Sequence, residues 1–164
     1  MPSFKLPHFG VIDPTNLDEY YDVDIDFNNK EIQIDLNFES KTITVERLEI
    51  LRHFIENIRI HDINNKKHIE NDFSDGDTVQ EYLENHIEEL ATDDLAQLIG
   101  SNIKTVDQPK LLLKKLHLIR VGLYPDSKEQ FAIFDYSLGQ ELTNYLVVIN
   151  TDENGNLDYI TMES

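Results

Sequence analysis

Tyr21-Asp22-Val23-Asp24-Ile25-Asp26-Phe27 alternates apolar and acidic residues without a break, and after Asn28-Asn29-Lys30 the alternation resumes in Glu31-Ile32-Gln33-Ile34-Asp35-Leu36-Asn37-Phe38. A period of two belongs to a strand with one face against a core and one face toward water. Asn tolerates the positive φ of tight hairpin turns, so the pair reads as a β-hairpin. Its register follows from parity. Opposed residues of an unbulged antiparallel pair have a constant number sum. Val23, Ile25 and Phe27 are odd, whereas Ile32, Ile34, Leu36 and Phe38 are even. Apolar side chains must oppose apolar ones, so the sum is odd, which implies a loop of two or four residues. Asp22, Asp24, Asp26, Glu31 and Asp35 then share the other face. Opposed carboxylates repel, so docking of the apolar face on helices is expected to hold the hairpin in place.

Around this ribbon, Gly10-Val11-Ile12 reads as a short strand ended by Asp13-Pro14. Helices follow. Thr44 can cap a helix bearing Leu48, Leu51, Phe54, Ile55 and Ile58 at three-and-four spacing. A weaker helical stretch covers about Asp62 to Asn71, and the polar segment Asn71–Asp77 reads as a loop. The next helix carries Val79, Tyr82, Leu83, His86, Ile87 and Leu90 on one side. Leu95–Ile99 is a short helix stopped by Gly100, and Pro109 opens another through Leu116. Strands return at Leu118–Tyr124 and Phe131–Tyr136 around Pro125-Asp126-Ser127. Two more, Tyr145–Asn150 and Leu157–Met162, flank a turn containing Asn154-Gly155. The order strands, helices, strands predicts an α+β fold: an N-terminal β-hairpin, central helices, and C-terminal antiparallel strands forming a largely antiparallel sheet packed on the helices. No repeat, linker or low-complexity tract divides the chain, so residues 1–164 are expected to form a single domain.

The 164 residues include 14 Lys and Arg against 32 Asp and Glu, a net charge of −18, and no Cys or Trp. Absence of Cys excludes disulfides, thiolate metal sites and a cysteine nucleophile. No run of 18 apolar residues exists to cross a bilayer. The opening Met-Pro-Ser-Phe-Lys-Leu-Pro-His lacks the apolar stretch of a secretory signal, so the cytoplasm is the expected compartment. The negative charge disfavours nucleic-acid and anionic lipid surfaces as partners.

That charge is uneven. Asp13 to Glu39 holds nine acidic residues and one basic, Lys30; Glu70 to Asp94 holds ten acidic residues and neither Lys nor Arg. Between Lys104 and Arg120 the sign reverses, with Lys104, Lys110, Lys114, Lys115 and Arg120 against Asp107. Such a pattern steers a basic partner, or it simply keeps a surface solvated while the basic segment offsets the acidic ones.

Signatures of catalysis are missing. Asp22-x-Asp24-x-Asp26 has the opening rhythm of a calcium loop, but the glycine and the closing bidentate Glu are absent at the required positions, and the intervening residues are strand formers. The six His form neither His-Glu-x-x-His nor a repeated Glu-x-x-His pair. His53 and Glu49 share a helical face, which a surface ion pair explains, and His86 lies on an apolar stripe as a boundary residue. There is no Gly-x-Ser-x-Gly or Gly-x-x-x-x-Gly-Lys. We therefore assign no catalytic residue, no metal and no cofactor. Tyr20, Tyr21 and Tyr136 are candidate interface anchors, since Tyr is enriched at binding hot spots, although core packing at a strand end is the plainer alternative.

Two stretches carry a resemblance. One is Leu6-Pro7-His8-Phe9-Gly10 with Leu17-Asp18-Glu19-Tyr20-Tyr21-Asp22-Val23 and Ile32–Phe38. The other is Tyr136-Ser137-Leu138-Gly139-Gln140-Glu141-Leu142-Thr143-Asn144-Tyr145-Leu146-Val147-Val148, with Asp152-Glu153-Asn154-Gly155 and Ile160–Ser164. Together they resemble a family of small acidic bacterial proteins known only as a domain of unknown function. That family implies no activity or catalytic residues. Small acidic proteins of this kind are similar to immunity proteins, which block a toxin. The expectation is a non-catalytic, immunity- or inhibitor-like binding module. It would present Asp22, Asp24, Asp26, Glu31 and Asp35, with Tyr20 and Tyr21, to a basic protein such as a toxin. Two other readings remain: a hydrolase or metal-binding enzyme gathering carboxylates and His in a concave pocket, and a nucleic-acid mimic with carboxylates spaced like phosphates.

Overall fold

The computed structural model describes residues 2–164 and shows one layer of helices on a six-stranded sheet. Strands β1 (Phe4–Leu6) and β2 (Gly10–Ile12) form a small antiparallel hairpin. Strands β3 (Tyr20–Phe27) and β4 (Lys30–Asn37) form the expected long one. Five helices follow: α1 (Val45–Glu56), α2 (Ile58–Asp75), α3 (Thr78–Glu89), α4 (Thr92–Ile99) and α5 (Gln108–Leu113). The chain returns through β5 (His117–Leu123), β6 (Ala132–Ser137), β7 (Leu146–Thr151) and β8 (Leu157–Glu163). The large sheet runs in chain order from β3 to β8. Every neighbouring pair is antiparallel except β4 and β5, which the intervening helices make parallel.

The β3–β4 register is the one parity requires. Val23 opposes Ile34 and Ile25 opposes Ile32, around a two-residue turn in which Asn28 and Asn29 have φ of 49° and 65°. Both central residues are left-handed, as a type I′ turn demands. Ile32, Ile34 and Leu36 of β4 enter the core with Val121, Phe134 and Ile149 from the following strands, all buried beneath the helices.

Thr44 caps α1 by accepting from the Arg47 N–H at 3.2 Å. Arg47 then donates to the carbonyls of Pro125 (2.9 Å) and Ser127 (2.8 Å) and pairs with Glu153, tying the first helix to two sheet turns. At the second of these turns, Gly155 has φ +82° and a Cβ there would collide with the His61 ring, so both the backbone and the space require glycine.

The structure departs from the sequence expectations locally. Ile58, expected on the first helix, instead opens α2 after the break at Asn57, and α4 begins at Thr92 rather than Leu95. Strand β1 was not expected; it has only three residues, too few to show a period. Helix α2 extends through most of the Asn71–Asp77 segment read as a loop, because Ile69 and Phe73, one turn apart, continue its packed face while the polar neighbours stay outside. The α5 helix ends at Leu113 rather than Leu116.

Tyr82 and Tyr136 are enclosed by this packing, so Tyr136 is a core residue and not an exposed interface anchor. Tyr82 donates to the Tyr145 carbonyl at 2.8 Å and Tyr136 donates to the Asp62 carboxylate at 2.6 Å. Burial pushes the Tyr82 phenol up to about 12 from an ordinary 10.0. Burial, reinforced by the charge of Asp62, places Tyr136 well above its ordinary value too. The folded state therefore holds these protons more tightly than the unfolded chain. For Tyr82 the resulting stability is complete below pH ~10 and is lost as pH rises toward about 12. Alkaline titration of phenolate absorbance should show Tyr82 and Tyr136 ionising only with unfolding, and Tyr82→Phe should flatten the alkaline decline while costing about 1 kcal/mol at neutral pH. Ionisation of all seven tyrosines near their ordinary value in the folded state would contradict this.

Candidate partner-binding face

One side of the sheet is free of helices. The odd-numbered residues of β4 and the even-numbered residues of β3 point there, continued across the sheet by Arg120 and Gly122 of β5 and Asp135 of β6. At its β3 edge this face carries Asp22, Asp24, Asp26 and Glu31, all exposed. Asp26 directly opposes Glu31, and Asp24 opposes Gln33. Among the described residues, none of these four carboxylates has a Lys, Arg or His within ion-pair distance. Asp22 instead accepts from the Gln33 amide at 3.3 Å, and the same amide reaches the Tyr20 hydroxyl at 3.4 Å. Tyr20 is 49% exposed beside them. Partial burial, together with the negative charges of Asp35 and Asp22, raises its pKa.

Two of the expected site residues do not belong to this exposed strip. Asp35 is fully buried. Its carboxylate accepts a two-point fork from Arg120, Nε to Oδ1 at 2.7 Å and one terminal nitrogen to Oδ2 at 2.9 Å, and a third bond from the Asn37 amide at 2.8 Å. Its charge is spent inside the protein and is not open to a partner. Tyr21 has odd parity, like Val23 and Ile25, and so faces the helix side. It packs edge-on against Phe38 with ring centres 5.8 Å apart, and its hydroxyl accepts the Asp18 N–H at 2.9 Å. The plainer alternative, a packed strand-end tyrosine, describes Tyr21, whereas Tyr20 stands on the carboxylate side.

Arg120 also donates to Asp135 at 3.2 Å, making a two-carboxylate, one-guanidinium cluster at the centre of the open face. Burial works against the charge on Arg120, but hydrogen bonds and attraction from Asp35 and Asp135 outweigh it and lift its pKa above the ordinary value. Asp135 is shifted upward. Its burial is the main cause, Arg120 opposes it, and Glu163 and Asp35 add repulsion. Gly122 makes the fork possible: a Cβ there would lie 2.7 Å from an Arg120 nitrogen and 3.3 Å from the Asp35 carboxylate. Sequence reasoning did not find this cluster. The available signal was a lone Arg in the apolar run Leu118-Ile119-Arg120-Val121.

Between the acidic edge and this cluster lies a groove of about 400 Å³, lined by Asp24, Glu31, Gln33, Arg120, Asp135 and Gln140 among others. It collects carboxylates from three strands. The histidines lie elsewhere: His86 is buried between the Tyr82 carbonyl (2.6 Å) and the Thr143 hydroxyl (2.8 Å), and His61 stacks on Phe54. Among the described residues no three His, Asp or Glu converge in metal-binding geometry, and no helix is long and apolar enough to cross a membrane.

Removing one member of a buried ion cluster strands the others. Arg120→Ala leaves Asp35 charged without a counter-ion and should cost about 3 kcal/mol in urea unfolding. The combined change Arg120→Met with Asp35→Asn and Asp135→Asn should cost clearly less, because no buried charge of the cluster is left unpaired. Equal costs for the two would contradict this assignment. Comparisons with family models, with curated proteins and with solved structures found no match for this chain.

Proposed function

We propose that this chain is a non-catalytic binding module that uses the carboxylate edge of its open sheet face to engage a basic protein partner, in the manner of an immunity or inhibitor protein. The observation that carries the proposal is a set of four exposed carboxylates, Asp22, Asp24, Asp26 and Glu31, without counter-ions of the chain's own. Opposed like charges on a strand pair destabilise it. A face that works against its own hairpin is better explained by an external cation than by stability. Tyr20 supplies an amphipathic anchor next to the charges, and the neighbouring groove supplies relief in an otherwise flat sheet.

Charge density favours a protein partner over mimicry of nucleic acid. Alternate residues of a strand stand about 6.8 Å apart. The strip therefore places its carboxylates along about 14 Å, roughly half the axial density of a DNA duplex at one charge per ~1.7 Å. Lys and Arg side chains on a folded partner can match the sparser spacing.

The test is a charge-neutral variant carrying Asp22→Asn, Asp24→Asn, Asp26→Asn and Glu31→Gln. It should unfold at higher urea than the parent, by roughly 0.5–1 kcal/mol of relieved repulsion. Partners recovered from the native cell with the parent chain should associate with it at least about tenfold more slowly when salt rises from about 50 to about 300 mM, and the variant should lose most of that dependence. A partner that binds parent and variant alike, at a salt-indifferent rate, would overturn the proposal.

A further inference from the structure

The reverse side of the same hairpin end carries the opposite charge. Lys30 opposes Phe27 in the register, so parity turns its side chain away from the acidic face. It borders a cavity of about 550 Å³ where the β3–β4 turn meets α2 and the α5–β5 junction. Lys66 of α2 and Lys114 and Lys115 of the junction line the same space, with His117 beside them. Four of the 14 cationic side chains of a strongly acidic protein thus surround one opening. Only Lys66 has a carboxylate within ion-pair distance among the described residues, Asp62 at 3.6 Å; Lys30, Lys114 and Lys115 have none.

We infer that this cavity binds a small organic phosphate. The inference rests on the lysine cluster and the cavity alone and is independent of the proposed partner-binding face. Ammonium groups on flexible stems bind phosphate oxygens as point charges from several directions. The floor is apolar, with Leu116 and Leu118 buried. A contiguous groove of about 530 Å³, bounded by Ile69, Phe73 and Leu113 and sharing Lys66 and Lys114, offers room for an uncharged part of the ligand. Either volume suits a ligand of metabolite size. Glu141 on the cavity wall is exposed and offers an acceptor for hydroxyl or N–H groups, which favours a phosphate ester with donors of its own over a bare inorganic anion. The overall negative charge does not forbid this, because carboxylates farther away than a Debye length of about 8 Å are screened while the lysines act at contact.

ATP is the probe. In an amide-resolved NMR titration of the full chain, shifts should concentrate at Asn28–Lys30, Lys66 and Lys114–Leu118. Sodium sulfate at matched ionic strength should not reproduce them. Lys114→Ala with Lys115→Ala should weaken ATP binding about tenfold or more, as loss of two charge-assisted contacts implies, and Lys30→Ala on the opposite wall should weaken it independently. All three lysines are exposed, so these variants should unfold within about 0.5 kcal/mol of the parent. Shifts located elsewhere, absence of localised shifts at millimolar ATP, or unchanged affinity in both variants would overturn the inference. So would an oligoglutamate peptide that occupies the cavity and that ATP fails to displace, since the site would then belong to an acidic protein segment.

Discussion

Strict alternation in β3 and β4 is the constraint on which the rest of the molecule depends. Because side chains of a strand alternate between faces, one register decides everything at once: Ile32, Ile34 and Leu36 go under the helices, and Asp22, Asp24, Asp26 and Glu31 go to water. A slip of one residue would bury the carboxylates and expose the isoleucines. Two devices prevent it. Asn28 and Asn29 both accept the left-handed backbone of a two-residue turn, and the apolar row docks on a core that extends across β5, β6 and β7.

The same rule separates opposite charges on one short ribbon. Lys30 and Glu31 are adjacent in sequence yet face different sides of the sheet. The acidic edge and the lysine-lined cavity are therefore back-to-back features that the sheet itself keeps apart. Arg120 performs a third separation. By binding Asp35 and Asp135 from the middle of the open face, it gives both buried carboxylates a shared counter-ion and leaves those at the edge uncompensated. Gly122 keeps the space that the guanidinium needs.

What the sequence made legible and what it hid follow from the range of the interactions. Period-two runs and Asn-rich turns are local, so the hairpin, its register and the last two hairpins could be read directly. Tyr21, a candidate anchor with core packing as its plainer alternative, has an odd number that places it with Val23 and Ile25 on the helix side. Asp35 could not be sorted from Asp22 by local pattern, because its fate depends on a strand 85 residues away. The β4–β5 pairing, the Arg120 fork and the lysine cavity all arise from that one long crossover. Helix α2 was cut short for the opposite reason: polarity at Asn71, Asp72 and Ser74 was louder than the two apolar residues that hold the turn down.

Carboxylate footprinting by carbodiimide coupling tests the central claim most directly, because it reads which acids are open to solution in the intact chain. Rapid modification of Asp22, Asp24, Asp26 and Glu31 is expected, with strong protection of Asp35 and Asp62, which are buried at 0% and 2% exposure. Slow labelling of the four hairpin acids in the free protein, or labelling of Asp35 at the same rate as Asp24, would contradict it.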